Sequence, residues 1–246
     1  MTAAAPSREA TALYVYGVVA TDSISGVDAK GVAGAPVKVV EHGDLAALVS
    51  NAPAEFRIKR ADLRSHLEVL EQAFAQTTVV PCTFGTVVGS PDALTASLLT
   101  DRREELRDAL ARLEGNAQLN VRATYVEDAL MREVVAEDAE IAALRAHARD
   151  RPGYHEQLRL GEVVAAAVAA RRGRDRARLL GRLADLAGEF VTEEGDELTA
   201  LKASFLVPRA DVRRFEAVLE ALARDEHHRL TIELVGPLPP TAFAEA

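Results

Sequence analysis

Residues 203 to 240 constrain the fold more than any other stretch. They read Ala-Ser-Phe-Leu-Val-Pro, then a helical pattern, then Arg-Leu-Thr-Ile-Glu-Leu-Val-Gly-Pro-Leu-Pro-Pro. Phe205, Leu206 and Val207 form an apolar run closed by Pro208, which suits a strand. Val212, Phe215, Val218, Leu219 and Leu222 recur at helical spacing. Leu230, Ile232 and Leu234 alternate with Thr231, Glu233 and Val235, the pattern of a half-buried strand. Gly236-Pro237 and Pro239-Pro240 are expected to end the sheet ladder, because proline has no amide donor. The result is a strand–helix–strand unit with an extended proline exit and no catalytic group.

That unit needs partners upstream, and the chain supplies them. Leu119 to Val126 alternates as a strand. Two helices are expected to follow, about 128–150 and 155–182, parted by Pro152-Gly153. An acidic hairpin falls around Glu193-Glu194-Gly195-Asp196-Glu197. The second half therefore reads β-α-α-β-β-α-β, the ferredoxin-like βαββαβ order with one extra helix. The first half reads β-β-β-α-β-α. Its strands are Leu13–Val19, Val37–Val40 and Leu45–Val49, the last two joined by a His42-Gly43-Asp44 turn. A helix over about 59–76 has Leu63, Leu67, Leu70 and Phe74 as its expected inner face, with His66 beside it. Thr77 to Val88 is β-rich but interrupted by Pro81 and Gly85. A further helix spans about 91–113 and stops at Gly115-Asn116. The fold class is α+β in two domains: residues 1–115, and a ferredoxin-like 116–246 that carries the proline-rich tail.

Composition narrows the function. Hydrophobic residues make up 48% and charged residues 27% of the 246, so a packed core is expected. Aromatics are only 4%, which leaves Leu, Val and Ala to build that core. The formal charge of −9 argues against general nucleic-acid binding and against an anionic lipid membrane. The single Cys82 leaves no internal disulfide and no cysteine-based zinc cluster, and it points to a reducing cytoplasm. No secretion signal and no run of about 20 apolar residues is visible.

The reactive side chains have ordinary roles available. His42 beside Asp44 suits acid–base work or a capped surface turn. Cys82 after Pro81 is a thiol or a small buried hydrophobe. His66 lacks a second ligand at i+4, where Leu70 stands, so a hydrogen-bonded helix histidine is the alternative to a metal ligand. His227-His228 ends a helix. The basic run Arg171-Arg172-Gly173-Arg174-Asp175-Arg176-Ala177-Arg178 suits phosphate or nucleic acid, or pairing with the acids at 104–105 and 193–197. Gly31-Val32-Ala33-Gly34 lacks the third glycine of a dinucleotide loop. With no catalytic motif in the chain, binding or assembly is favoured over catalysis.

Several segments, in order, resemble the GvpF/GvpL family of gas vesicle proteins over nearly the whole length. They are Leu13-Tyr14-Val15-Tyr16-Gly17-Val18-Val19, His42-Gly43-Asp44-Leu45-Ala46-Ala47-Leu48-Val49, and Val80-Pro81-Cys82-Thr83-Phe84-Gly85-Thr86-Val87. Then come Leu160-Gly161-Glu162 with Arg171-Arg172, Ala203-Ser204-Phe205-Leu206-Val207, and Val235-Gly236-Pro237-Leu238-Pro239-Pro240. The tail departs from the family pattern at Thr241-Ala242-Phe243. The resemblance implies a minor, non-catalytic component of gas vesicle formation, located at the vesicle in the cytoplasm and needing no cofactor or metal. It implies as partners the hydrophobic shell protein and other accessory proteins. Phe84, Leu238 and Phe243 are the candidate contact residues, each with packing inside the chain as its alternative. Two further readings stay open: a small-ligand-binding or enzymatic protein on a ferredoxin-like scaffold, and an RNA binder using the arginine run with Tyr125 and Phe205 on an open sheet face.

Overall fold

The computed structural model describes residues 12–52, 59–150 and 153–244. The chain divides into two compact units. One comprises residues up to Gln118 together with those from Leu238 onward; the other is Leu119–Pro237.

The first unit is built on β1 (Leu13–Ala20), which is buried along seven of its eight residues. β2 (Lys38–His42) and β3 (Leu45–Asn51) form the hairpin expected at His42-Gly43-Asp44. Gly43 sits at φ +63°, a left-handed value that glycine adopts without penalty. β1 pairs antiparallel with β3 on one side, with a bulge between Val15 and Gly17. On its other side it pairs with the short strands β4 (Val80–Pro81) and β5 (Val87–Val88). Gly17 faces β4 so closely that a Cβ would lie 2.8 Å from the Val80 carbonyl oxygen. Any larger residue there would push the strands apart.

Helix α1 (Arg60–Gln76) packs on β1, but through a face other than the expected one. His66, Val69, Leu70, Ala73 and Phe74 are buried, whereas Leu63 and Leu67 are 42% and 39% exposed. The expected helix over 91–113 is divided. A first turn α2 (Pro91–Ala93), capped by the Ser90 hydroxyl, runs into a π-helical segment Leu94–Thr100. The chain leaves helical geometry at Arg102 before α3 (Arg103–Leu113).

In the second unit, β6 (Asn116–Tyr125), β7 (Glu189–Thr192), β8 (Thr199–Pro208) and β9 (Leu230–Leu238) form a sheet in the order β7-β8-β6-β9. In chain order this is second, third, first, fourth: the ferredoxin-like arrangement. α7 (Val212–Glu226) packs on β8 and buries Phe215, Leu219 and Leu222, the face that its periodicity predicts. Between β6 and β7 lie three helices rather than the expected two: α4 (Glu127–Glu137), α5 (Ala139–Asp150) and α6 (Tyr154–Leu183). Asp138 makes the break. Its backbone is extended and its carboxylate accepts the Ile141 N–H at 3.3 Å, which starts a new helix. The core joins Leu119, Val121, Ala123 and Tyr125 of β6 to Leu201, Phe205 and Val207 of β8 and to Leu179 and Leu183 of α6.

The proline exit differs from expectation in two ways. β9 continues through Gly236-Pro237 to Leu238 instead of ending at Val235. The residues from Leu238 onward group with the first unit, whereas the sequence pattern assigns the tail to the second. Pro239, Pro240 and Phe243 are buried; the Ala242 N–H donates to the Gln118 side-chain oxygen at 2.8 Å, and Arg112 donates to the Phe243 carbonyl at 2.6 Å. Satisfied backbone groups and a buried ring hold the tail in place.

Candidate functional site

Each unit contains a buried polar centre. In the first, Tyr14 and Tyr16 project from β1 toward α1 with ring centroids 4.9 Å apart. The Tyr14 hydroxyl accepts the Gly85 N–H at 3.0 Å, which leaves its proton for Nδ1 of His66, also at 3.0 Å. Burial pushes His66 down to about 4, although a hydrogen bond to the Cys82 backbone opposes the shift. Burial likewise pushes Tyr14 up to about 12 and the Cys82 thiol up to about 11. Tyr16 accepts the Val32 N–H at 2.7 Å and shares a hydrogen bond with Ser50 at 2.8 Å. Phe84 covers this cluster half-buried, edge-on to His66 with centroids 5.5 Å apart. The histidine is neutral, the thiol protonated and the tyrosines un-ionised at neutral pH, so the centre holds neither an activated nucleophile nor a charged base.

The second centre is ionic. Asp175 of α6 is 4% exposed and sits among donors from β6, α6 itself and the turn before β9. Tyr125 donates to its Oδ2 at 2.7 Å, Arg171 to Oδ2 at 3.1 Å, and Arg178 to Oδ1 at 3.2 Å. Arg229, itself 4% exposed, forks onto both oxygens and lies 5.8 Å from the centre of the Tyr125 ring. Burial works against ionisation of Asp175. Hydrogen bonds from Arg229 and Tyr125 outweigh it and hold the carboxyl well below the usual carboxylate range. Glu226 accepts from Arg229 at 2.8 Å and from Arg178; Glu133 receives Arg171 at 2.8 Å and Arg229 at 3.1 Å; Glu137 pairs with Arg171. Each charge of this set meets an opposite one, which offsets the cost of desolvating the buried Asp175 and Arg229.

The arginine run is thus turned inward at Arg171, while the Arg174 and Arg178 side chains stay 63% and 43% exposed. Its partners are Asp175, Glu133, Glu137 and Glu226 rather than the acids at 104–105. Those at 193–197 are engaged elsewhere: Glu193 with Lys202, Asp196 with Arg122, although Arg172 donates to the Asp196 carbonyl at 2.9 Å. Tyr125 and Phe205 belong to the helix-covered core, at 4% and 0% exposure, so neither offers a face for stacking a base. His42 and Asp44 also part company. His42 meets the Thr100 hydroxyl at 3.2 Å, while Asp44 holds Arg103 and Arg107 at 2.7 and 3.2 Å, and the Arg103 hydrogen bond lowers its pKa. His42, Asp44 and His66 therefore do not converge on one pocket.

One concave surface in the second unit is lined mainly by apolar groups. Met131 and Val135 of α4, Ile141 of α5, and Leu160 and Val164 of α6 line a groove of about 630 Å³, together with the charged residues Asp128, Arg132 and Arg145. Ile141 is fully buried at the floor and Met131 is 39% exposed.

Comparison with known proteins decides the family. Residues 12–245 match the family model described as gas vesicle synthesis protein GvpL/GvpF. The chain belongs to that family. It is 36% identical over 239 residues to gas vesicle protein F of Streptomyces sp. (strain CB03234), covering 94% of this chain and 99% of that protein. It is 28% identical to gas vesicle protein L of the same organism, covering 94% and 92%. The crystal structure of GvpF from Anabaena sp. PCC7120 superposes with a TM-score of 0.82 over 96% of this chain and 99% of that one, at 23% identity, which shows a shared fold.

For this GvpL/GvpF member, the three candidate contact residues have different surroundings. Phe84 and Leu238 are half-buried, and Phe243 is 4% exposed. A partner could reach Phe243 only by drawing the tail out of the first unit. Two features escaped the sequence reading. Asp175 carried a signal, as the one acid inside the arginine run, spaced four residues from Arg171 and three from Arg178 so that all three share a helix face. The groove carried none, because its residues come from three helices whose packing no local pattern reveals.

Proposed function

We propose that this gas vesicle protein is a minor, non-catalytic assembly component that binds the apolar shell protein and other accessory proteins at the forming vesicle in the cytoplasm. The groove between α4, α5 and α6 carries this reading. Five of its lining residues are apolar, with Ile141 buried at its floor, and its charged border is two arginines, Arg132 and Arg145, against one acid, Asp128. A surface of that kind receives the apolar face of an amphipathic helix, with the rim arginines meeting acidic flanks. A shell subunit so covered would be kept from aggregating before assembly. Phe84 and Leu238 remain secondary contacts in this proposal. The test is co-expression of shell protein with this chain or its Leu160→Asp and Val164→Asp variants, scoring the complex by pull-down and vesicle yield by microscopy. Complex formation with the parent chain and its loss with folded groove variants is the expected result. Retention by both variants would remove the groove from the proposal, and no complex with the parent chain would overturn the proposal itself.

A further inference from the structure

The misplaced leucines of α1 lead to a second surface, in the first unit. Leu63 and Leu67 stand one turn apart on the exposed face of α1, with Arg60 before them, Arg64 between them, and Glu68 and Glu71 after them. All four charged residues are exposed, and among the described residues none of them forms an ion pair. Arg64 and Glu68 are four residues apart yet unpaired, in the arginine-first order that supports a helix least. The stripe also runs against the helix dipole, with cations toward the N-terminus and anions toward the C-terminus. By itself the helix gains nothing from this order.

An antiparallel copy of the same helix reverses the balance. With a two-fold axis between Leu63 and Leu67, Arg60 and Arg64 of one copy face Glu71 and Glu68 of the other, and the four leucines meet at the centre. The arrangement is isologous: each side supplies the same patch, and the charge order that is unfavourable within one helix becomes complementary across two. We infer that the exposed face of α1 is a self-association surface whose occupant is α1 of a second copy of this chain. A stripe of eleven residues' rise is about 16 Å long. One helix pair of that size sits at the lower end of specific interfaces, under about 1,200 Å² in total. The dimer is therefore weak and concentration-dependent.

Sedimentation equilibrium across a wide protein concentration range tests this with the full chain. The parent protein is expected to dimerise. Arg60→Glu with Arg64→Glu makes the stripe wholly acidic, and Glu68→Arg with Glu71→Arg makes it wholly basic. Each double variant should lose dimer affinity by about tenfold or more. An equimolar mixture of the two should form a heterodimer, because the acidic stripe now faces the basic one. The quadruple variant, with all four charges reversed, should dimerise again, and it covers the case in which one double variant fails to fold by circular dichroism. A parent chain that stays monomeric at every concentration overturns the inference. So does a dimer indifferent to these reversals, or a mixture and a quadruple variant that both stay monomeric.

Discussion

The two buried polar centres solve the same problem with opposite chemistry. Each ties a helix to a sheet that needs a polar group inside it. The first unit uses neutral partners: two tyrosines, a serine, and an uncharged histidine. The second uses full charges: one aspartate held by three arginines, with three glutamates closing the set. A neutral centre costs little to desolvate but is exposed to any change in protonation. A charged one costs more to bury, yet once every charge is paired its ionisation is reinforced by all its neighbours. The two units should therefore fail under different insults.

The largest effect is expected from breaking the charged centre. Asp175→Ala leaves Arg229 buried without its main counter-charge and should destabilise the second unit by about 3–5 kcal/mol. Urea denaturation monitored by circular dichroism, with segment-resolved hydrogen exchange, would show protection lost over 119–237 first. A loss of under about 1 kcal/mol would mean that the network contributes little.

Acid should single out the neutral centre. His66 moves from 6.5 to about 4 on folding, so between those values the unfolded chain binds the extra proton and the folded one does not. Its contribution is complete above about pH 6.5 and is lost as pH falls toward 4, by up to about 3 kcal/mol at roughly 1.4 kcal/mol per pH unit. Asp175 behaves the other way. Its folded pKa is depressed from 3.8, so its contribution holds above 3.8 and fades only below it. Hydrogen exchange at pH 7 and pH 5, corrected for intrinsic rates, should show the first unit loosening while the network holds. His66→Asn should flatten the first unit's response. Equal weakening of both units would erase the contrast.

The smallest effect is expected from Tyr14→Phe, which removes an acceptor for the Gly85 N–H and the donor to His66. Leaving those buried groups unmatched should cost about 1–3 kcal/mol in the thermal or urea midpoint, with little change in the second unit. A Tyr14→Phe cost as large as that of Asp175→Ala would show that neutral and charged centres weigh alike.

Much of the second unit was legible in the sequence, because its elements bury one face and expose the other. The alternation of Leu230, Ile232 and Leu234 and the stripe of Phe215, Leu219 and Leu222 each determine a face, and four such strands leave few sheet orders. The α1 face is ambiguous in the sequence because two stripes overlap at Leu70 and Phe74. Counting leucines selects Leu63 and Leu67. The sheet instead takes Ala73, small enough for close approach, and His66, whose polar atoms find Tyr14 and Cys82. Asp138 hid a helix break because helical periodicity runs on across it, while one side chain caps the next helix. The ionic centre was illegible for a different reason: Asp175 and Arg229 lie far in the chain from each other and from Tyr125 and Glu133, and they meet only after the topology is set.

The return of the tail to the first unit has a consequence for synthesis. The residues from Leu238 onward leave the ribosome only after the whole of Leu119–Pro237 has been made. Until then, the surface that Phe243 will cover stays open to water, although most of the first unit is already present. The second unit has no such wait, since its four strands are contiguous in the order of translation. The half of the protein that is begun first is completed last, and a ribosome that stalls late releases a chain whose earlier part is the unfinished one.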